Sequence, residues 1–238
     1  MNIEFDSLLK KLESLGDANA VEGMARYGII SEKAYGISTP VLRHIAKEIG
    51  KNHGLARKLW LTGVLDARAL AALIEDPAMV TEEQMERWVK DFDNWAVCDA
   101  CCGNVFDKTP FAWKKAREWS RHKEEFVKRA AFSLMAALAV HDKKADDREL
   151  LPFLMIIKRE ANDDRNFVRK AVNWALRQIG KRSPALNRKA IQTAEEIKRM
   201  DSRSAKWIAS DALRELTSDA VQRRLRRRKP SIEESGGT

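Results

Sequence analysis

The chain has 238 residues, is 44% hydrophobic and carries only 11 Gly and 6 Pro, the composition of an ordinary globular protein long enough to bury a substantial core. No apolar run approaches the ~18 residues of a membrane span. The start, MNIEFDSLLKKLESLG, lacks the basic and apolar regions of a signal peptide, and the crowded set Cys98, Cys101 and Cys102 cannot form a disulfide framework, so the sequence predicts a cytoplasmic protein without membrane attachment. Net charge is +9, from 44 Lys/Arg against 35 Asp/Glu. Residues 223–238 hold +4 of it (Arg223, Arg224, Arg226, Arg227, Arg228 and Lys229 against Glu233 and Glu234), and the other 222 residues hold +5. The surplus in the body suggests a polyanion-binding surface.

Apolar residues recur at helical spacing along almost the whole chain. In TPVLRHIAKEIGK, Val41, Leu42, Ile45, Ala46 and Ile49 form one stripe, with Arg43, Lys47 and Glu48 outside it. Ser38-Thr39-Pro40 supplies a start and Gly50 an end. LDARALAALIED follows from Leu65, and Thr81-Glu82-Glu83-Gln84 has the form of a capping box. FVKRAAFSLMAAL from Phe126 is echoed by FVRKAVNWALRQI from Phe167, 41 residues on, and more loosely by WIASDALREL from Trp207. No segment alternates like a strand. The reading is all-α, about a dozen helices of roughly 10–18 residues. A period near forty residues with two helices per unit predicts HEAT-like repeats stacked as a curved solenoid with a concave basic groove. One repeat domain is expected over residues 1–222, with 223–238 a basic, flexible tail.

Common catalytic signatures are missing: no Gly-rich phosphate loop, no G-x-S-x-G elbow, no HExxH. Cys98-Asp99-Ala100-Cys101 has the C-x-x-C form, but the histidines are scattered singly and no βαβ setting surrounds it, so small residues packing inside a helix explain it better than a metal or redox site. No metal or cofactor is expected. Of seven tryptophans, Trp60, Trp88, Trp113, Trp119 and Trp207 sit among apolar neighbours and read as core. Two differ. Trp95 precedes Asp99 by four residues, so both project from one helix face, with a carboxylate in apolar company that is costly unless paired or used. Trp174, Arg177 and Lys181 form a stripe of one aromatic and two cations on a helix that also bears Arg169 and Lys170.

Taken together, MARYGIISEKAYGISTPVLRHIAKEIG, LWLTGVLDARALAALIEDP, DNWAVCDACCGNVF, EFVKRAAFSLMAAL and FVRKAVNWALRQIGK resemble, in order, the bacterial DNA alkylation repair family, AlkD-like alkylpurine DNA glycosylases built of HEAT-like repeats. The resemblance runs from about Met24 to Leu216. It implies hydrolysis of the N-glycosidic bond of cationic N3- and N7-alkylated purines in double-stranded DNA by a monomer. By the same resemblance Asp99 matches the aspartate that stabilises the oxocarbenium charge and helps place the water, and Trp95 and Trp174 match tryptophans flanking the damaged nucleotide. Arg129 matches an arginine holding the backbone near the lesion, and Tyr27 a tyrosine close to the lesion pair. Lys170, Arg177 and Lys181 would be further phosphate contacts. The basic tail and the cysteines lie outside the family pattern.

The chemistry is coherent. A purine alkylated at N3 or N7 leaves as a neutral base without a general acid, so the positive charge on the sugar is what needs stabilising, and an anion and tryptophan faces can do that. Two alternatives use the same features differently. A non-catalytic binder of unusual DNA structures needs the basic face but not Asp99. A protein-interaction scaffold needs neither. On DNA the protein is expected at the nucleoid.

Overall fold

The structure is a computed structural model that describes residues 4–31 and 33–227. The described residues contain fourteen α-helices and no strand, and they form two compact units that divide after Ala112. The N-terminal unit holds α1 (Phe5–Ser14), α2 (Ala18–Ala25), α3 (Thr39–Ile49), α4 (His53–Leu61), α5 (Leu65–Ile74), α6 (Glu82–Lys90) and α7 (Trp95–Asn104). Short 3-10 turns at Pro77–Met79 and Phe106–Lys108 interrupt it. α8 (Ala112–Trp119) spans the division. The C-terminal unit continues with α9 (Glu125–His141), α10 (Asp147–Glu160), α11 (Asn166–Gly180), α12 (Pro184–Lys198), α13 (Arg203–Leu216) and α14 (Asp219–Arg226).

In the C-terminal unit the repeat seen in the sequence is a packing register. α9 packs on α11 and α11 on α13, while α10 packs on α12. The echoed Phe126 and Phe167 meet with ring centroids 5.4 Å apart. Between α11 and α13 three pairs all lie 38 residues apart: the Arg169 guanidinium over the Trp207 ring at 5.1 Å, Asn173 donating to Asp211 at 2.6 Å, and Arg177 donating to Glu215 at 2.6 Å. Successive members are one helical turn apart, so two helices with the same periodicity align along a common face. Alanines 130, 131, 136, 171, 175, 205, 209 and 212 are buried and let the backbones approach. Gly180 marks the closest approach, since a Cβ there would lie 2.7 Å from Leu216 Cδ2 and 2.9 Å from Ala190 Cβ.

The N-terminal unit is less regular and is held by individual polar pins. Its core stacks Trp60 on Trp88 with ring centroids 4.0 Å apart and planes 3° from parallel, and Phe92 and Phe106 close around them. Asp66 on α5 is 0% exposed, and its carboxylate accepts from the backbone N–H groups of Tyr35 at 2.6 Å, Ile37 at 2.8 Å and Gly36 at 3.4 Å. A buried carboxylate needs such donors, and in meeting that need it ties the irregular segment before α3 to the core. Gly36 sits at φ 82° with the Asp17 carbonyl where a Cβ would be, so only glycine fits there. The second pin is Glu75, hydrogen-bonded to His53 at 2.7 Å and to Gln84 Nε2 at 2.8 Å.

Several sequence expectations change in detail. The Thr81 hydroxyl accepts from the Gln84 N–H at 3.2 Å, but the Gln84 side chain serves Glu75, so only half of the capping box forms; a buried carboxylate outbids an exposed helix end. Trp60, Trp88 and Trp119 are core. Trp113 is half-buried, stacked on Phe153 at 5.1 Å. Trp207 is not core: it is 38% exposed, with the Arg169 guanidinium over its ring and no further aromatic ring packed on it among the described residues. Arg223, Arg224 and Arg226 of the basic tail lie on α14, and residues 228–238 lie outside the described residues.

Candidate nucleic-acid interface

α7 begins at Trp95 because the buried Asn94 caps it, accepting from the Val97 N–H at 3.0 Å. Val97, Cys98, Cys101 and Cys102 face the core, and Trp95 and Asp99, one turn apart, are half-buried at its edge. The three thiols are a soft apolar pad under the Asp99 turn. Burial pushes Cys101 and Cys102 well above the ordinary thiol range, and for Cys102 the nearby Cys98 and Asp99 add to it. Such thiols stay protonated and unreactive.

Trp95 is anchored from far along the chain. Its indole N–H donates to the Tyr27 carbonyl at 2.9 Å, and Tyr27 lies in the turn after α2, where Gly28 at φ 73° lets the chain reverse. The Tyr27 ring is 74% exposed. The structure therefore brings Tyr27, Trp95 and Asp99 together on one edge of the N-terminal unit, whereas the sequence reading centred its groove on Trp95, Asp99, Arg129 and Trp174, the last two of which belong to the C-terminal unit.

The C-terminal unit carries the other candidates. Lys170 is exposed and Trp174 half-buried on α11. Arg129 on α9 is only 6% exposed and donates to the Phe167 carbonyl at 2.7 Å, so much of its reach is spent inside the repeat. Arg177 and Lys181 both hold Glu215 of α13, at 2.6 Å and 2.5 Å, and Arg177 is 3.7 Å from Asp211. Burial works to raise the Glu215 carboxyl, but the hydrogen bond from Lys181 and the charge of Arg177 outweigh it and hold the group below the usual carboxylate range. Along the same seam Asn173 Oδ1, Arg169 Nε and Arg177 Nε are buried without a hydrogen-bond partner among the described residues. The sequence reading missed Asp211 and Glu215. Their signal was available, as carboxylates one repeat beyond Asn173 and Arg177.

The comparisons fit this architecture. One solved structure, of a new family of proteins related to the HEAT-like repeat DNA glycosylases with affinity for branched DNA structures, superposes with a TM-score of 0.75 at 22% identity, over 89% of this chain and 95% of that one. The fold is thus that of HEAT-like helical repeats, all-α as read from the sequence. The chain belongs to the DNA alkylation repair enzyme family, whose model matches residues 8–216. Uncharacterized proteins of Listeria innocua (Lin0241) and Listeria monocytogenes (Lmo0209) are each 25% identical to it over 199 residues, 82% of this chain and 87% of theirs. No helix among the described residues is long and apolar enough to cross a membrane.

Proposed function

We propose that the protein is a DNA glycosylase that hydrolyses the N-glycosidic bond of cationic N3- and N7-alkylated purines in duplex DNA. The observation that carries this reading is the α7 edge: Asp99 half-exposed one turn from Trp95, whose ring is fixed by its hydrogen bond to Tyr27. Asp99 is the anion for the oxocarbenium charge and orients the attacking water. Trp95 offers its ring to the sugar, and Tyr27 the lesion pair. Trp174, Arg129, Lys170, Arg177 and Lys181 are assigned to the same DNA. The protein acts as a monomer and needs no metal, because the alkylated base leaves neutral.

The direct test is release of 7-methylguanine and 3-methyladenine from methylated DNA. Removing one electrostatic stabiliser of a transition state typically costs 10²–10³ in rate, so Asp99→Asn is expected to lower release by about that factor while DNA binding persists. Equal release by the two proteins would sink the mechanism.

A second reading is a non-catalytic binder of DNA structures. It is favoured by the pairing of Arg177 and Lys181 with Glu215, which takes up two of the cations assigned to DNA, and by the branched-DNA affinity of the solved relative. It predicts binding without base release by the wild type.

A further inference from the structure

In the N-terminal unit a cleft of about 360 Å³ opens between α4 and α6. Trp60 and Trp88 form its floor and Arg57, Arg87, Lys90 and Leu61 its rim. The three cations are exposed, and no hydrogen bond or ion pair holds any of them among the described residues; Glu83, one turn before Arg87, feels its charge. Asp91 also lines the cleft, but it is engaged by the Trp60 indole N–H at 2.8 Å and lies 3.9 Å from Arg68. On the same rim Leu61 is 85% exposed. Three unengaged cations converging on one cleft are costly to assemble by mutual repulsion and match an anionic partner.

The nature of that partner follows from the lining. The two indoles are almost wholly buried, so the floor offers edges and no open ring on which a base could stack. A peptide would need more apolar surface than one leucine supplies. A phosphate backbone needs cations, and an apolar tip such as Leu61 is suited to an opened base step. The placement adds a constraint. α5 packs against both α4 and α7 and buries seven of its ten residues, so the cleft and the Trp95–Asp99 edge flank a buried helix. Duplex DNA has a persistence length of ~50 nm, and a straight duplex along α7 does not bend round a helix layer within a few base pairs. A branched DNA has separate arms, one of which can lie along α7 while another enters the cleft.

We propose that the α4–α6 cleft is a second DNA site, in which Arg57, Arg87 and Lys90 hold the backbone of an arm other than the one lying along α7 and Leu61 meets the opened base step at the branch. The proposal rests on the reading of the chain as a DNA-binding protein, in either of its forms. It extends that reading from one duplex to DNA with a junction.

The test compares a four-way junction with a linear duplex of the same number of base pairs, by fluorescence anisotropy between 50 and 200 mM salt. The proteins are the wild type, the triple variant Arg57→Ala/Arg87→Ala/Lys90→Ala, and Leu61→Ala. All four side chains are exposed, and circular dichroism checks that the fold is kept. Each phosphate contact contributes about −0.9 to the slope of log K against log salt, so three contacts make junction binding by the wild type about 40-fold more salt-sensitive over this range than that of the triple variant. Duplex affinity should stay within about twofold. Leu61→Ala should weaken junction binding alone. Unchanged junction binding by the triple variant, or equal losses on junction and duplex, overturns the proposal, as does capture of poly-glutamate through these residues with DNA binding unaffected. Wild-type protein that binds neither DNA removes the DNA-binding reading itself, whereas wild-type binding with an unchanged triple variant removes only the cleft.

Discussion

The two units of this protein solve the same packing problem in different ways. The C-terminal unit repeats itself: pairs 38 residues apart line the α11–α13 seam, and equivalent phenylalanines touch between α9 and α11. The N-terminal unit relies on single buried carboxylates, Asp66 and Glu75, each satisfying several donors from distant segments. A regular stack spreads its stability over many small apolar contacts and nearest-neighbour terms. A pinned one concentrates it in a few groups that are costly to leave unsatisfied. The difference bears on function, because the pinned unit is the one that carries Tyr27, Trp95 and Asp99, three residues whose relative placement depends on irregular chain.

The largest effect should come from breaking a pin. Asp66→Ala removes the acceptor for three backbone N–H groups in a buried place, and a loss of about 3–5 kcal/mol is expected. Hydrogen exchange should show protection lost first in residues 33–38 and 65–74. Equal loss of protection in both units would erase the distinction drawn between them. Gly180→Ala attacks the regular unit instead. Its Cβ would meet Leu216 and Ala190 inside 3 Å, and overpacking of this kind costs about 1–3 kcal/mol, read in urea denaturation and confined to α11–α13. Unchanged stability would mean that the seam gives way more easily than its spacing implies.

The smallest effect sharpens the role of the seam's charges. The Glu215 carboxyl is held below its ordinary value, so its contribution to stability is fully present above the unfolded pKa of about 4.3 and is lost as pH falls through the lower folded value. The C-terminal unit should therefore lose stability below about pH 4. Glu215→Gln should flatten that acid limb at a cost of about 1 kcal/mol at pH 7. The same variant removes the carboxylate that Arg177 and Lys181 share, and DNA binding should then tighten and become more salt-dependent, by up to about 1.8 in slope for two phosphate contacts. An acid limb of undiminished steepness would assign it elsewhere, with Asp163 the next group to examine, since its carboxyl is also held low by Arg165 and Lys128 against the effect of burial.

Much of the site could be read along the chain because α7 is a helix and helices have a fixed period. Trp95 and Asp99 share a face by spacing alone, and Cys98, Cys101 and Cys102 fall on the buried side for the same reason. The stripe of Trp174, Arg177 and Lys181 was legible too. Its electrostatic state was not, since Glu215 comes from α13, and a stripe of cations looks identical in sequence whether it faces phosphate or carboxylate. Trp207 failed for a related reason. It occupies the position of Phe126 and Phe167 in the repeat, and apolar neighbours in sequence suggest core, but the ring that would cover it from a further repeat is absent from the described residues and Arg169 covers one face only.

The sequence by itself determined the all-helical class, the period near forty residues and the faces on which candidate side chains stand, because local periodicity and capping are encoded within a few turns of chain. It also carried the family, through segments in a characteristic order. Only the tertiary structure decided which charges are engaged. The Tyr27 carbonyl holds Trp95 across 68 residues, Glu215 takes up Arg177 and Lys181, and Arg57, Arg87 and Lys90 converge on one cleft. Partners of that kind are chosen by packing of one helix on another, and electrostatic state follows from distance in space, a quantity that spacing along a chain does not contain.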